Sequence, residues 1–381
     1  MILKLRAERA VSPTDGRAAW VVIDDQLRLQ EEASAFLEGL SAADRSINTE
    51  RVYAGRVALF LSWCEACGVR WTEVSMLDLA RFLRWLVSEP LPSRGRGHAG
   101  PRYRSKKTAN AVMTTVCEFL RFGAREGWID PAIVGRLSQQ KYLGWLPKGF
   151  DPGEDNQNRQ VRAKLIKFNV GEDPVEILHR DEIARLLAAA VHCRDRFLIA
   201  LLDCTGIRIG ESLGLRRADM HLLADSQALG CRIGGPHIHI HRRPENANGA
   251  LAKSRHSRSI PVTADLVGLY TDYQYERDHV PEAAACDMVF VNLFHAPLGE
   301  PMRYWSAKEL FDRLARQTDM VARPHMVRHG TATAWIRAGV DRDVVSNLMG
   351  HASPASLAPY LHATSEEKRQ AVDLVAAGES R

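Results

Sequence analysis

The stretch CRDRFLIALLDCTGIRIGES, residues 193–212, carries the reading of the fold. Its first part is apolar at helical spacing, and Gly206 closes it in the manner of a helix C-terminus. Arg208 follows at once and opens a new helical run. Glu211 stands three residues further on, on the same helix face, where it can orient the guanidinium. An ordinary surface Arg–Glu pair would look the same within these few residues, so the rest of the chain must decide.

Immediately upstream, ILHRDEIARLLAAAV (177–191) predicts a helix with Ile183, Leu186 and Leu187 turned inward. Downstream the periodicity changes. PHIHIHRR (236–243) alternates with period two, PENANG (244–249) has turn chemistry, and RSIPVT (258–263) and DMVFVN (287–292) read as strands. Lys253 falls in the hairpin region between the first two, where an ammonium on a flexible stem can reach into a cleft. Helices then resume. PHMVRHG (324–330) puts His325 and Arg328 three apart on one helical turn, a pairing suited to an oxyanion. DVVSNLMG (343–350) predicts a helix ended by Gly350, followed by His351 and, nine positions on, Tyr360.

Toward the N-terminus the pattern is helical. AWVVID (19–24) is strand-like, and then 48–68, 75–89, 106–128 and 130–137 each predict a helix. LPSRGRGHAGPRYRSKK (91–107) contains Arg94, Arg96, Arg102, Arg104, Lys106 and Lys107 and no acid, and its glycines and prolines predict a mobile basic loop able to track phosphates. Residues 147–160 are polar and turn-rich, with Lys164 among the basic residues that flank them. The expected organisation is an arm over 1–29, a helical bundle over 30–140, a basic linker over 141–175, a mixed domain over 176–365 and a tail helix over 366–381. The expected fold class is mainly α with a small antiparallel sheet.

At 381 residues, with 51 basic and 46 acidic side chains, the chain is mildly basic at +5 and long enough for two domains. No apolar run approaches a membrane span, and MILKLRAERA has no secretory pattern. The seven cysteines are odd in number and scattered, which predicts free thiols in a reducing compartment and a cytoplasmic location. Cys64 and Cys67 form a C-x-x-C inside a helical pattern with no second ligand pair, so they are read as packing and no metal is expected.

The ordered set Arg208, Lys253, His325-x-x-Arg328, His351 and Tyr360 resembles that of the tyrosine recombinases, the phage integrase family, and more narrowly the integrases and transposases of mobile elements. The likeness covers residues 176–365 strongly and the helical bundle more weakly. Pro359, directly before Tyr360, departs from the pattern.

The resemblance implies phosphoryl transfer from DNA to Tyr360 through a 3′-phosphotyrosine, without metal or other cofactor. In that chemistry Arg208 and Arg328 clamp the non-bridging oxygens as rigid donor forks. His351 adds a hydrogen bond, His325 exchanges the phenol proton, and Lys253 protonates the leaving 5′ oxygen. Arg94, Arg96, Arg102, Arg104, Lys106, Lys107, Lys164, Arg255 and Arg258 are expected DNA contacts. The implied partners are double-stranded DNA, gripped by two lobes as a clamp, and further copies of the chain. These form a homo-tetramer with a dimer on each site, the tail docking on a neighbour, and accessory recombinases remain open as partners. Two alternatives use the same fold: a type IB topoisomerase-like relaxing enzyme, and an inactive DNA-binding accessory protein.

Overall fold

The structure is a computed structural model and describes residues 4–12, 14, 16, 18–43, 45–92, 100–144, 160–171, 175–243, 245–254 and 256–350. The chain divides into two compact units, residues 1–146 with 152–172, and residues 147–151 with 173–381. Among the described residues, helices predominate and the sheets are small and antiparallel, the expected fold class.

The first unit opens with a hairpin of β1 (Arg6–Val11) and β2 (Ala18–Ile23), in register from Arg6 opposite Ile23 to Val11 opposite Ala18. Helices α1 (Glu31–Ala42), α2 (Ile47–Ala66), α3 (Met76–Ser88), α4 (Lys106–Arg125) and α5 (Ala132–Leu137) follow. Their starts are written locally. Ser46, Ser75 and Ser105 each accept a hydrogen bond from a first-turn N–H, and Asp78 completes a capping box with Ser75. The apolar faces meet in an aromatic core: Phe60 and Trp63 each lie 5.2 Å from Phe82 between ring centroids, and Phe36 lies 5.5 Å from Phe119. Cys64 is buried in this core and its thiol is pushed up to about 12 by burial, while Cys67 is exposed beyond the helix end.

Part of the expected linker has structure of its own. Strand β3 (Ser138–Tyr142) pairs antiparallel with β4 (Gln160–Lys164), so both strands belong to the first unit. Asn110 of α4 holds the chain beyond β4, its Oδ1 accepting from the Phe168 N–H at 2.8 Å and its Nδ2 donating to the Phe168 carbonyl at 2.9 Å.

The second unit builds its core around α7 (Cys193–Thr205). It follows α6 (Arg180–Ala189) and precedes the single turn α8 (Ile209–Ser212). A three-stranded sheet, β5 (Met220–His221), β6 (His237–Ile240) and β7 (Arg258–Pro261), runs in that order. Then come α9 (Ala264–Asp278), α10 (Tyr304–Gln317), α11 (Pro324–Arg337) and α12 (Arg342–Met349). Phe197, Tyr273, Phe290 and Phe311 are fully buried between them.

The segment 287–292, expected to be a strand, makes only single bridges, Arg216 with Met288 and Val291 with Pro301. Backbone hydrogen bonds join it to Leu215 and Arg217 on one side and to Glu300 and Met302 on the other, and Arg277, buried at 2% exposure, lies against it. Its guanidinium donates to the carbonyls of Ala283, Cys286, Met288 and Val289, and the Tyr273 hydroxyl also donates to Val289. Side-chain donors thus satisfy the Met288 and Val289 carbonyls, while backbone N–H groups take those of Asp287 and Phe290. No helix of the described residues is long and apolar enough to cross a membrane.

Candidate active site

Gly206 ends α7 in the left-handed conformation, with φ +61°. A side chain there would be strained, and its Cβ would sit 2.9 Å from Met349 Sδ, so glycine is required twice over. The turn lets Arg208 cap α8, and Glu211, three residues on, receives the Arg208 N–H at 2.9 Å and Nη1 at 3.2 Å. The Glu211 carboxylate is wholly buried.

Its second partner is Arg258, whose Nη1 and Nη2 donate to Glu211 at 3.3 and 2.9 Å. Burial pushes the Glu211 carboxyl up, but the hydrogen bonds and charges of Arg258 and Arg208 outweigh it and hold it below the ordinary carboxylate value. Arg258 corrects a sequence expectation. Its side chain is only 6% exposed, so in this conformation it orients Glu211 from inside the protein and does not present its charge as an open DNA contact.

The three arginines converge on the end of α12. Arg258 Nε donates to the Leu348 carbonyl at 3.0 Å, Arg328 Nη2 to Met349 at 2.7 Å, and Arg208 Nη1 to Gly350 at 3.4 Å. Arg328, itself buried, also donates to the Gly206 carbonyl at 2.5 Å. The carbonyl ends of α7 and α12, rich in unsatisfied acceptors, are thereby tied to one cluster of guanidinium groups. Gly350 has φ +61°, and a Cβ on it would meet Arg258 Nη1 at 2.6 Å.

His325 stands exposed on the first turn of α11. Burial of its ring, then the charge of Arg323, hold it below the ordinary imidazole value, although Glu176 opposes this. His329, one turn on and 5.8 Å away between ring centroids, is pushed down to about 4 by burial, His325 and Arg328. Both rings are therefore neutral at neutral pH, and a neutral imidazole has a lone pair with which to accept a proton.

Lys253 is exposed on the connection between β6 and β7, outside the bonded cluster. That connection runs close against α8: a Cβ on Gly210 would lie 3.0 Å from the Leu251 carbonyl oxygen. Asn248 anchors it by donating to the Leu213 and Met302 carbonyls, both at 2.9 Å.

The structure therefore brings together Arg208, Glu211 and Arg328, and adds Arg258. His351 and Tyr360 lie outside the described residues, as do Arg94, Arg96 and Arg255 and the expected tail helix. Sequence reasoning missed the inward role of Arg258 and did not single out His329, the imidazole one turn from His325. The alternation of RSIPVT was the available signal for Arg258, because it places Arg258 on the face with the buried Ile260.

The other expected DNA contacts lie in the first unit. Lys106 and Lys107 are exposed at the start of α4, with Lys106 Nζ 5.8 Å from the centre of the Phe168 ring. Lys164 is exposed on β4 and donates to Thr114 Oγ1 at 2.7 Å. Arg102 and Arg104 are half-buried, and Arg104 stacks 5.8 Å over Trp85.

A model of the phage integrase family matches residues 176–367. Transposase A from transposon Tn554 of Staphylococcus aureus is 27% identical over 352 residues, 92% of each chain. Tyrosine recombinase XerD of Corynebacterium glutamicum is 24% identical, covering 85% of this chain and 90% of its own. Among solved structures, the Tn1549 transposon integrase in complex with a circular intermediate DNA is similar at a TM-score of 0.60 and 15% identity, covering 90% of this chain and 98% of that one. A lambda integrase dimer bound to a core site is similar at 0.57 and 13%, covering 89% and 97%. Those two likenesses are of fold.

Proposed function

We propose that this chain, which belongs to the phage integrase family of tyrosine recombinases, moves a mobile element by cutting and rejoining DNA with Tyr360 as the nucleophile. Attack of the Tyr360 oxygen on a backbone phosphorus forms the phosphotyrosine bond and breaks the bond to the 5′ oxygen, which leaves as a hydroxyl. Arg208 and Arg328 stabilise the charge on the non-bridging oxygens, His351 donates to one of them, His325 accepts the phenol proton, and Lys253 protonates the leaving oxygen. Attack by the 5′ hydroxyl of another strand reverses the step and completes transfer.

One observation carries this reading: Arg208 and Arg328 are gathered with Glu211 at the carbonyl end of α12, directly before His351 in the chain. Similarity to a transposase along nearly the whole length supports a mobile element as the context.

Lys106, Lys107 and Lys164 of the first unit serve as phosphate contacts, which fix register more than sequence. The working assembly on DNA is a tetramer with two protomers on each site, the tail docked on a neighbour, inside the cytoplasm. The domains follow the same logic: a DNA-binding helical bundle over 30–140 and a catalytic domain over 176–365.

A nicked suicide duplex spanning the element's joined ends tests the proposal. Wild-type protein is expected to form a covalent protein–DNA adduct that survives denaturing gel electrophoresis, and Tyr360→Phe is expected to form none. An adduct of equal yield from Tyr360→Phe would reject the assignment. Supercoil relaxation with no joining of two sites would favour the topoisomerase-like alternative.

A further inference from the structure

The second unit holds a cluster of side chains that strand transfer does not use. In HIHIH, residues 237–241, Ile238 and Ile240 are buried in the core, so the alternation of β6 turns its histidines to the other face. The antiparallel register sets His221 of β5 directly opposite His237, which brings another imidazole onto that face.

The connection from β5 to β6 folds back over these rings. The Gly235 carbonyl accepts from Ser226 Oγ at 2.9 Å and lies 2.8 Å from His237 Nδ1, while the Cys231 N–H donates to the Ser226 carbonyl at 3.2 Å. Cys231 Sγ is thereby placed 3.3 Å from His237 Nε2 and 3.5 Å from His239 Nε2, and those two nitrogens are 3.0 Å apart. One ligand atom from each of His221, Cys231, His237 and His239 lies within 4.8 Å of all the others.

We propose that these four side chains form a structural zinc site with one thiolate and three imidazole ligands. Zn–S bonds of about 2.3 Å and Zn–N bonds of about 2.0–2.1 Å in a tetrahedron imply ligand separations of roughly 3.6 Å for S···N and 3.3 Å for N···N. The three short separations match those edges to within a few tenths of an ångström, and His221, within 4.8 Å of the others, closes the fourth corner by moving inward roughly an ångström. With its Nδ1–H given to Gly235, His237 directs the Nε2 lone pair at the centre, the usual support for a metal-bound imidazole.

Burial argues the same way. His237 is 0% exposed, and His221 Nδ1 is buried with no hydrogen-bond partner among the described residues. A thiolate with imidazoles favours zinc over magnesium, calcium or manganese. Four protein ligands close the coordination sphere, so the ion braces the fold and takes no part in strand transfer. Binding releases the Cys231 proton to solvent.

What the ion would brace is the sheet beside the candidate active site. Ile240 of β6 pairs with Arg258 of β7, the residue that holds Glu211. The expectation of no metal, drawn from the isolated C-x-x-C and from the resemblance, is revised by this proposal for a structural ion and left as it stands for the strand-transfer chemistry. The sequence hides the site because its ligands become neighbours only through strand pairing and the return of the loop.

The test uses the full-length, untagged chain. Elemental analysis is expected to find about one zinc per chain. Titration of the metal-stripped chain with Co²⁺ is expected to give tetrahedral d–d bands and a thiolate charge-transfer band. Cys231→Ser should abolish that band, His239→Ala should weaken Co²⁺ binding about 10-fold or more, and Cys67→Ser should change neither. Circular dichroism checks that each variant folds. If the Cys231 variant does not fold, the wild-type band and a rise in Tm on adding zinc decide. A wild-type Co²⁺ spectrum without a thiolate band, no zinc-dependent rise in Tm, or an unchanged band in Cys231→Ser would each overturn the proposal.

Discussion

Glu211 is the residue on which the arginine cluster turns. Its buried carboxylate neutralises Arg258 and orients Arg208, and it accepts donors from both. Removing one partner of a buried ion pair leaves an uncompensated charge and typically costs about 3–5 kcal/mol. Glu211→Ala is therefore expected to lose stability of about that size in urea denaturation at neutral pH, and to slow adduct formation as well. The sign with pH follows from the lowered carboxyl. A depressed carboxyl contributes stability that is fully present above its ordinary value of 4.5 and is lost as pH falls through its lower folded value. The gap between wild type and Glu211→Ala should accordingly narrow in acid. A gap that stays constant or widens there would show that Glu211 acts through packing and not through charge.

At the scale of elements, two helix C-termini do the positioning. Gly206 and Gly350 end α7 and α12 in the same left-handed turn, and Arg328 bonds to the Gly206 carbonyl and to that of Met349, beside Gly350. Gly350→Ala adds the cost of a non-glycine residue at positive φ, roughly 1–2 kcal/mol, and pushes a methyl group into Arg258. The expected outcome is a modest fall in Tm with a much larger fall in adduct formation, because the shift lands on the guanidinium cluster. A loss of activity no greater than the loss of folded protein would argue against this role for the α12 terminus. The sheet acts in the same way: β7 carries Arg258, and its pairing with β6 sets where that side chain enters the cluster.

Across the whole molecule, each unit has its own hydrophobic core, and each contributes charge to DNA binding in the proposed reading. Lys106, Lys107 and Lys164 lie in the first unit and the arginine cluster in the second. Binding through phosphates releases counterions, so affinity should fall steeply as salt rises, by about 10³–10⁵ between 50 and 200 mM for roughly six to ten contacts. Replacing both Lys106 and Lys107 with Ala should lower the slope of log K against log salt by about two, equally on any duplex. Affinity that does not change across that salt range would contradict a phosphate-dominated interface.

The sequence alone determined most of the helices and the glycine stops at Gly206 and Gly350, because these depend on residues a few positions apart. It also determined the order of the chemical boxes, since Arg208, His325 and Arg328 each sit in a local turn whose residues are adjacent in the chain. Tertiary structure decided what sequence distance concealed. The segment 287–292 joined its neighbours by single bridges and took Arg277 as a further partner, β4 paired out of what read as a linker with β3, and Arg258 turned inward to Glu211. His221, Cys231, His237 and His239 became neighbours across a strand pair and a folded-back loop. In each case the partner came from a distant segment, and a buried charge or donor takes whichever partner the completed fold brings within reach.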